Sequence, residues 1–104
     1  MKYLLLVCVD EDLARTVDVD RDPEPWIAEC GPRRLEGHQL RGPADATVVR
    51  NGGTLVSDGP FAETKEQIAG YDVLEADSLD EVVALAAKHP VAQFGAIEIR
   101  PLRA

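Results

Sequence analysis

The sequence predicts an α+β fold, a ferredoxin-like split βαβ sheet with two helices on one face. Three observations predict it. Lys2 to Val9, KYLLLVCV, is apolar on both alternating faces, as a strand covered on both sides must be. Strand-like runs and two capped amphipathic stretches then follow in the order β-α-β-β-β-α-β. The closing run, Gly95 to Leu102, sets Ile97 and Ile99 against Glu98 and Arg100, one face for the helices and the other for something else.

After the first strand, Asp10 to Arg21 is acidic and weakly periodic, and order is expected everywhere except Asp10 to Asp22. Asp22-Pro23 supplies an N-cap with proline at the first helical position, opening a helix through Cys30 with Trp26, Ile27 and Cys30 on one face. Gly31-Pro32 ends it. Arg33 to Leu40 alternates weakly and reads as extended. Thr47 to Arg50, Asn51-Gly52-Gly53 and Thr54 to Ser57 form a clear hairpin, its turn made of residues that accept positive φ. Ala69 to Ala76 is another strand. Ser78 and Glu81 form a capping box for a helix to about Lys88, which places Leu79, Val82, Val83 and Ala86 on one face with Leu85 widening it. Pro90 closes that helix.

With 104 residues, 45% of them hydrophobic and 29% charged, the chain fits one domain, 1–104, near the lower size at which a single core sustains itself. A homodimer burying the second sheet face would add to that core. The net charge of -8 would repel a phosphate backbone, so nucleic acid is not an expected partner. Arg33, Arg34, Arg41 and Arg50 still make the middle of the chain locally basic, which leaves room for a small polar or anionic molecule. The apolar run Tyr3 to Val9 is too short for a secretory signal and meets Asp10, Glu11 and Asp12, and nothing reaches membrane-spanning length. A cytoplasmic protein with no membrane partner is the expectation.

Cys8 and Cys30 lack metal-ligand or redox spacing and read as reduced, buried thiols. The sequence also lacks a P-loop, a GxGxxG, a Gly-x-Ser-x-Gly elbow and a zinc-ligand cluster, so no cofactor and no metal are expected.

The block Asp58-Gly59-Pro60-Phe61-Ala62-Glu63-Thr64-Lys65-Glu66, then Gly70-Tyr71, His89-Pro90 and Ile97-Glu98-Ile99-Arg100-Pro101, resembles the DGPF branch of the YCII-related proteins. The resemblance runs from Met1 to about Leu102 and implies a dimeric α+β barrel, two ferredoxin-like sheets enclosing or flanking a cavity. It further implies lyase-like chemistry in some relatives, one of which acts on a chlorinated hydroxyquinol, with a histidine–aspartate pair proposed as their site. Members of this branch tend to be encoded beside extracytoplasmic-function sigma factors, which implies a stress-related role.

The candidate catalytic residues are His38, placed on a weakly marked strand with a pKa suited to proton transfer, and Asp58, which maps onto the family turn. Asp58 has a structural reading too, accepting hydrogen bonds from the amides of Phe61 and Ala62 in an Asx-type turn. The candidate substrate-binding residues are Phe61, Lys65, Tyr71, Glu98 and Arg100, with Glu63 and Glu66 beside them. Phe61 otherwise anchors the turn against the sheet, and Glu98 and Arg100 otherwise pair with each other. His89 is expected to cap the C-terminus of the second helix as a protonated imidazole. The readings that follow are a lyase- or isomerase-like enzyme working by proton transfer in a dimer cavity, a non-catalytic ligand-binding or accessory protein of a sigma-factor-linked regulon, and a protein whose open face serves only to dimerise.

Overall fold

A computed structural model describes residues 1–61 and 65–103 of the chain. Among these residues six strands and three α-helices follow in order: β1 (Lys2–Val9), α1 (Glu11–Ala14), α2 (Glu24–Cys30), β2 (Arg34–Gln39), β3 (Thr47–Arg50), β4 (Leu55–Asp58), β5 (Gln67–Glu75), α3 (Leu79–Ala87) and β6 (Ala96–Pro101). Four of the strands make an antiparallel sheet in the order β2-β5-β1-β6, while β3 and β4 pair only with each other as a separate ribbon. With β1 at the centre, β1-α2-β2 and β5-α3-β6 are two interleaved crossovers, the ferredoxin-like arrangement.

The period-two pattern of β1 decides which face is covered. Tyr3, Leu5, Val7 and Val9 are buried, whereas Leu4, Leu6 and Cys8 are half-exposed on the other face. Tyr3, Leu5, Leu74 and Ala76 pack under Trp26 and Cys30 of α2 and Val82, Leu85 and Ala86 of α3. The Trp26 indole N–H donates to the Leu85 carbonyl at 2.8 Å, which ties the two helices together at the sheet. Ile97 and Ile99 join the covered side as their alternation requires, and Glu98 and Arg100 stand on the open face opposite Leu6 and Leu4. Cys30 is fully buried and Cys8 half-buried, and burial raises both thiol pKa values, so they rest as protonated small hydrophobes.

Several local expectations change. The acidic stretch after β1 is not without order: Asp10 accepts hydrogen bonds from the amides of Asp12 and Leu13 and starts the short α1. Helix α2 starts one residue later than expected, with Pro23 at the N-cap, and Asp22 just before it accepts from the amide of Glu24 at 3.1 Å. Glu81 donates its amide to Ser78 as the capping box predicts, but its carboxylate accepts from the amide of Asp77, one residue earlier than the box requires. On α3 the buried face is narrower than the periodicity suggests. Leu79 and Val83 are each 49% exposed, and on this helix only Val82, Leu85 and Ala86 are buried against the core.

Candidate functional site

A cavity of about 610 Å³ opens between α2 and the β2-β5 edge of the sheet, on the helix-covered side. Val7, Trp26, Ile27 and Val91 form its apolar walls, and Arg34, Asp72 and His89 are the polar groups set deepest among them. Asp72 sits on β5 opposite Leu5, so strand alternation points it into the core, where it is 6% exposed. A carboxylate in that position needs a cation. Arg34, at the start of β2, supplies it: its Nε donates to Asp72 Oδ1 at 2.8 Å.

Gly37 makes room for this pair. A Cβ there would lie 2.1 Å from Asp72 Oδ1 and 2.4 Å from an Arg34 terminal nitrogen, so any side chain on that residue would force the two apart. His89 follows α3 and precedes the turn of 3₁₀ helix Pro90–Gln93. Its Nδ1 accepts the Val91 amide at 3.0 Å, and the edge of its ring meets Trp26 with centroids 4.7 Å apart. Burial pushes the imidazole below its ordinary 6.5, with Asp72 pulling weakly the other way. His89 is therefore not the protonated helix cap expected from its place in the sequence but a neutral ring whose proton sits on Nε2. Among the described residues no buried side-chain nitrogen or oxygen lacks a partner. Among the described residues neither His89 Nε2 nor Asp72 Oδ2 has a hydrogen-bond partner, and both residues line the cavity.

A model of the YCII-related domain matches residues 1–104. The chain belongs to the YCII-related family. An uncharacterized protein of Rhizobium meliloti (strain 1021) is 45% identical over 62 residues, in a match that covers 57% of this YCII-related chain and 50% of that protein. The chain therefore spans about half the length of the curated relative it matches. Among solved structures, 5-chloro-2-hydroxyhydroquinone dehydrochlorinase (TftG) from Burkholderia phenoliruptrix AC1100, in complex with 2,5-dihydroxybenzoquinone, superposes with a TM-score of 0.58 at 18% identity. The match covers 99% of this chain and 94% of that one, and it shows the fold.

Within the YCII-related fold, the residues singled out from sequence fall in three places. His38 and Tyr71 are cross-strand neighbours on β2 and β5, with ring centroids 5.9 Å apart, and both line the rim of the cavity. The Tyr71 hydroxyl donates to Glu36 at 3.2 Å, and partial burial followed by that bond raises its pKa. His38 is exposed, and among the described residues no carboxylate is hydrogen-bonded to it. Asp58 lies on β4 of the separate ribbon, paired with Thr47, and does not line this cavity. Its supposed turn partner Ala62, and Glu63, lie outside the described residues.

Phe61 is 71% exposed, so it does not anchor the turn against the sheet; the Arg50 guanidinium covers its ring 4.7 Å from the centroid. With Leu40, Pro43, Pro60, Glu66 and Ile68 it borders a second, shallower hollow at the base of the ribbon. Lys65 is exposed. Glu98 and Arg100 hold each other at 2.6 Å on the open face.

The structure also accounts for the arginines that make the middle of the chain basic. Arg33 pairs with Glu81 at 3.2 Å, Arg34 with Asp72, Arg41 with Asp45 at 3.1 Å, and Arg50 stacks on Phe61. Sequence reasoning passed over Asp72 and Gly37 and read Arg34 only as part of a locally basic stretch. The one available signal was Asp72 itself, a carboxylate at a core-facing position of a strand whose neighbours Gly70 and Leu74 are buried. Among the described residues no cluster of histidine, cysteine and carboxylate groups could hold a metal ion, and no helix is long and apolar enough to cross a membrane.

Proposed function

We propose that this YCII-related protein is a small-molecule enzyme of the lyase or isomerase kind, transferring a proton in the cavity between α2 and the sheet. The observation that carries the proposal is that a buried neutral imidazole and a buried carboxylate held by an arginine open on one apolar-walled cavity. Asp72 Oδ2 takes the proton from a carbon beside a carbonyl or hydroxyl-bearing centre. The His89 Nε2–H and the terminal nitrogens of Arg34 face the oxygen on which negative charge then develops. Loss of a leaving group gives a lyase, and return of the proton elsewhere gives an isomerase. At the rim, His38 exchanges the proton with solvent.

The dehydrochlorinase of like fold, bound to an oxygen-rich ring, supports a small cyclic or carbonyl-bearing substrate. The half-exposed row Leu4, Leu6, Cys8 and Val73 supports a homodimer closed over the open sheet face.

Proton NMR in D₂O tests the proposal directly. Incubated with small keto and polyhydroxyl compounds, the protein is expected to wash solvent deuterium into at least one of them. Asp72→Asn is expected to lower that rate by about 10²-fold or more.

A second reading, a non-catalytic ligand-binding or accessory protein of a sigma-factor-linked regulon, is favoured by one feature. The lone pair of His89 Nδ1 is already occupied by the Val91 amide, so the ring can donate but not accept a proton. Compounds that bind without any deuterium exchange would select that reading.

A further inference from the structure

We infer that the cavity under α2 takes an uncharged, oxygen-bearing molecule and turns carboxylates and phosphates away; as a statement about substrate, this rests on the proton-transfer reading of the same cavity. Its fixed charges are three carboxylates, Glu11, Glu24 and Asp72, against two guanidinium groups, Arg21 and Arg34. Each guanidinium is already paired with one of these carboxylates. Arg21 grips Glu11 through two bonds, Nη1 to Oε2 at 3.1 Å and Nη2 to Oε1 at 3.3 Å, and lies 5.6 Å over the Phe94 ring. Arg34 is held by Asp72 at 2.8 Å. Glu24 has no cationic partner among the described residues.

An anionic ligand would find the charge of each guanidinium already balanced by a carboxylate bonded to it. To reach the terminal nitrogens of Arg34 it would have to come close to the Asp72 carboxylate, which has 6% exposure and keeps its charge on the same cavity. It would also meet the unpaired charge of Glu24 and the negative field of a chain at -8. A neutral hydroxyl or carbonyl displaces nothing. It finds a donor in His89 Nε2–H, an acceptor in Asp72 Oδ2, and apolar walls in Val7, Trp26, Ile27 and Val91. The basic character of the middle of the sequence is thus balanced within the fold, and Arg34 offers the ligand hydrogen-bond donors without a net positive charge.

The test uses a pair of probes matched in size and differing by one charge, 3-hydroxybenzamide and 3-hydroxybenzoate, titrated at neutral pH. The His89 ring protons report binding, and His38→Gln assigns them, since the chain has two histidines. The amide is expected to bind with a Kd about tenfold lower than the carboxylate. Glu24→Gln should narrow that gap severalfold, because it removes the unpaired charge and leaves both arginine pairs intact. A carboxylate that binds as tightly as the amide, or His89 signals that neither probe moves, overturns the inference. A protein that prefers the amide yet exchanges no proton with D₂O keeps the inference and loses the proton-transfer reading.

Discussion

The covered face of the main sheet and the β3-β4 ribbon are built from similar alternating strands, yet they spend their apolar residues in opposite ways. Under the helices, Leu5, Leu74 and Val82 are fully buried, and the one carboxylate among them is matched by an arginine. On the ribbon, Val49 and Val56 face each other across the strands and are 63% and 58% exposed. An isolated two-stranded ribbon gains little from its own contacts. The difference shows that pairing alone does not make a site: a cavity with ordered charges needs a second layer that excludes water and fixes side chains.

Truncations should widen that contrast most. Leu5→Ala or Leu74→Ala is expected to cost about 2–5 kcal/mol in urea unfolding, since each opens a hole in the core. Val56→Ala on the ribbon should stay within about 0.5 kcal/mol. Equal losses at the two places would mean that the ribbon is buried against something in solution.

The buried pair comes next. Asp72→Asn leaves Arg34 without its carboxylate and is expected to cost about 3 kcal/mol. Gly37→Ala pushes the same pair apart sterically, at about 1–3 kcal/mol. If Gly37→Ala were neutral, the close approach of β2 to Asp72 would be disproved.

A smaller effect is expected from pH. Because burial lowers the His89 pKa in the folded chain, the unfolded chain binds more protons once pH falls below about 6.5. The stability due to neutral His89 is thus fully present above that value and is lost as pH drops toward the folded pKa. His89→Asn keeps an acceptor for the Val91 amide without titrating, so its melting temperature should lose this component of the pH dependence between neutral and mildly acid solution.

The smallest effect should come from the open face. Glu98→Gln breaks an ion pair whose side chains are 49% and 70% exposed, and it is expected to change stability by less than about 1 kcal/mol. A larger loss would point to a partner covering that face.

How clearly each region reads in the sequence runs opposite to its chemical content. Asn51-Gly52-Gly53 marks the ribbon turn openly, and the three residues do adopt positive φ at 52°, 62° and 91°, yet the ribbon lies apart from the cavity. The alternation in β6 correctly set Ile97 and Ile99 on one face and Glu98 and Arg100 on the other. Arg34, Asp72 and His89 are far apart in the chain, each beside residues of ordinary strand or helix-end character. A lone arginine at a strand start looks like surface, and a histidine before proline looks like a helix cap. Only contact between β2, β5 and the turn after α3 turns them into a site.

Local chemistry in the chain determined the strands, the caps of α2 and α3 and the core alternation, because each depends on backbone preference and on neighbours a few residues away. Family membership was also readable there, since it rests on residue order. The tertiary structure alone decided which charges are spent and which remain. Ion pairing and desolvation act between groups brought close in space, so the commitment of Arg34 to Asp72, the neutrality of His89 and the exposure of Phe61 follow from packing rather than from any run of sequence.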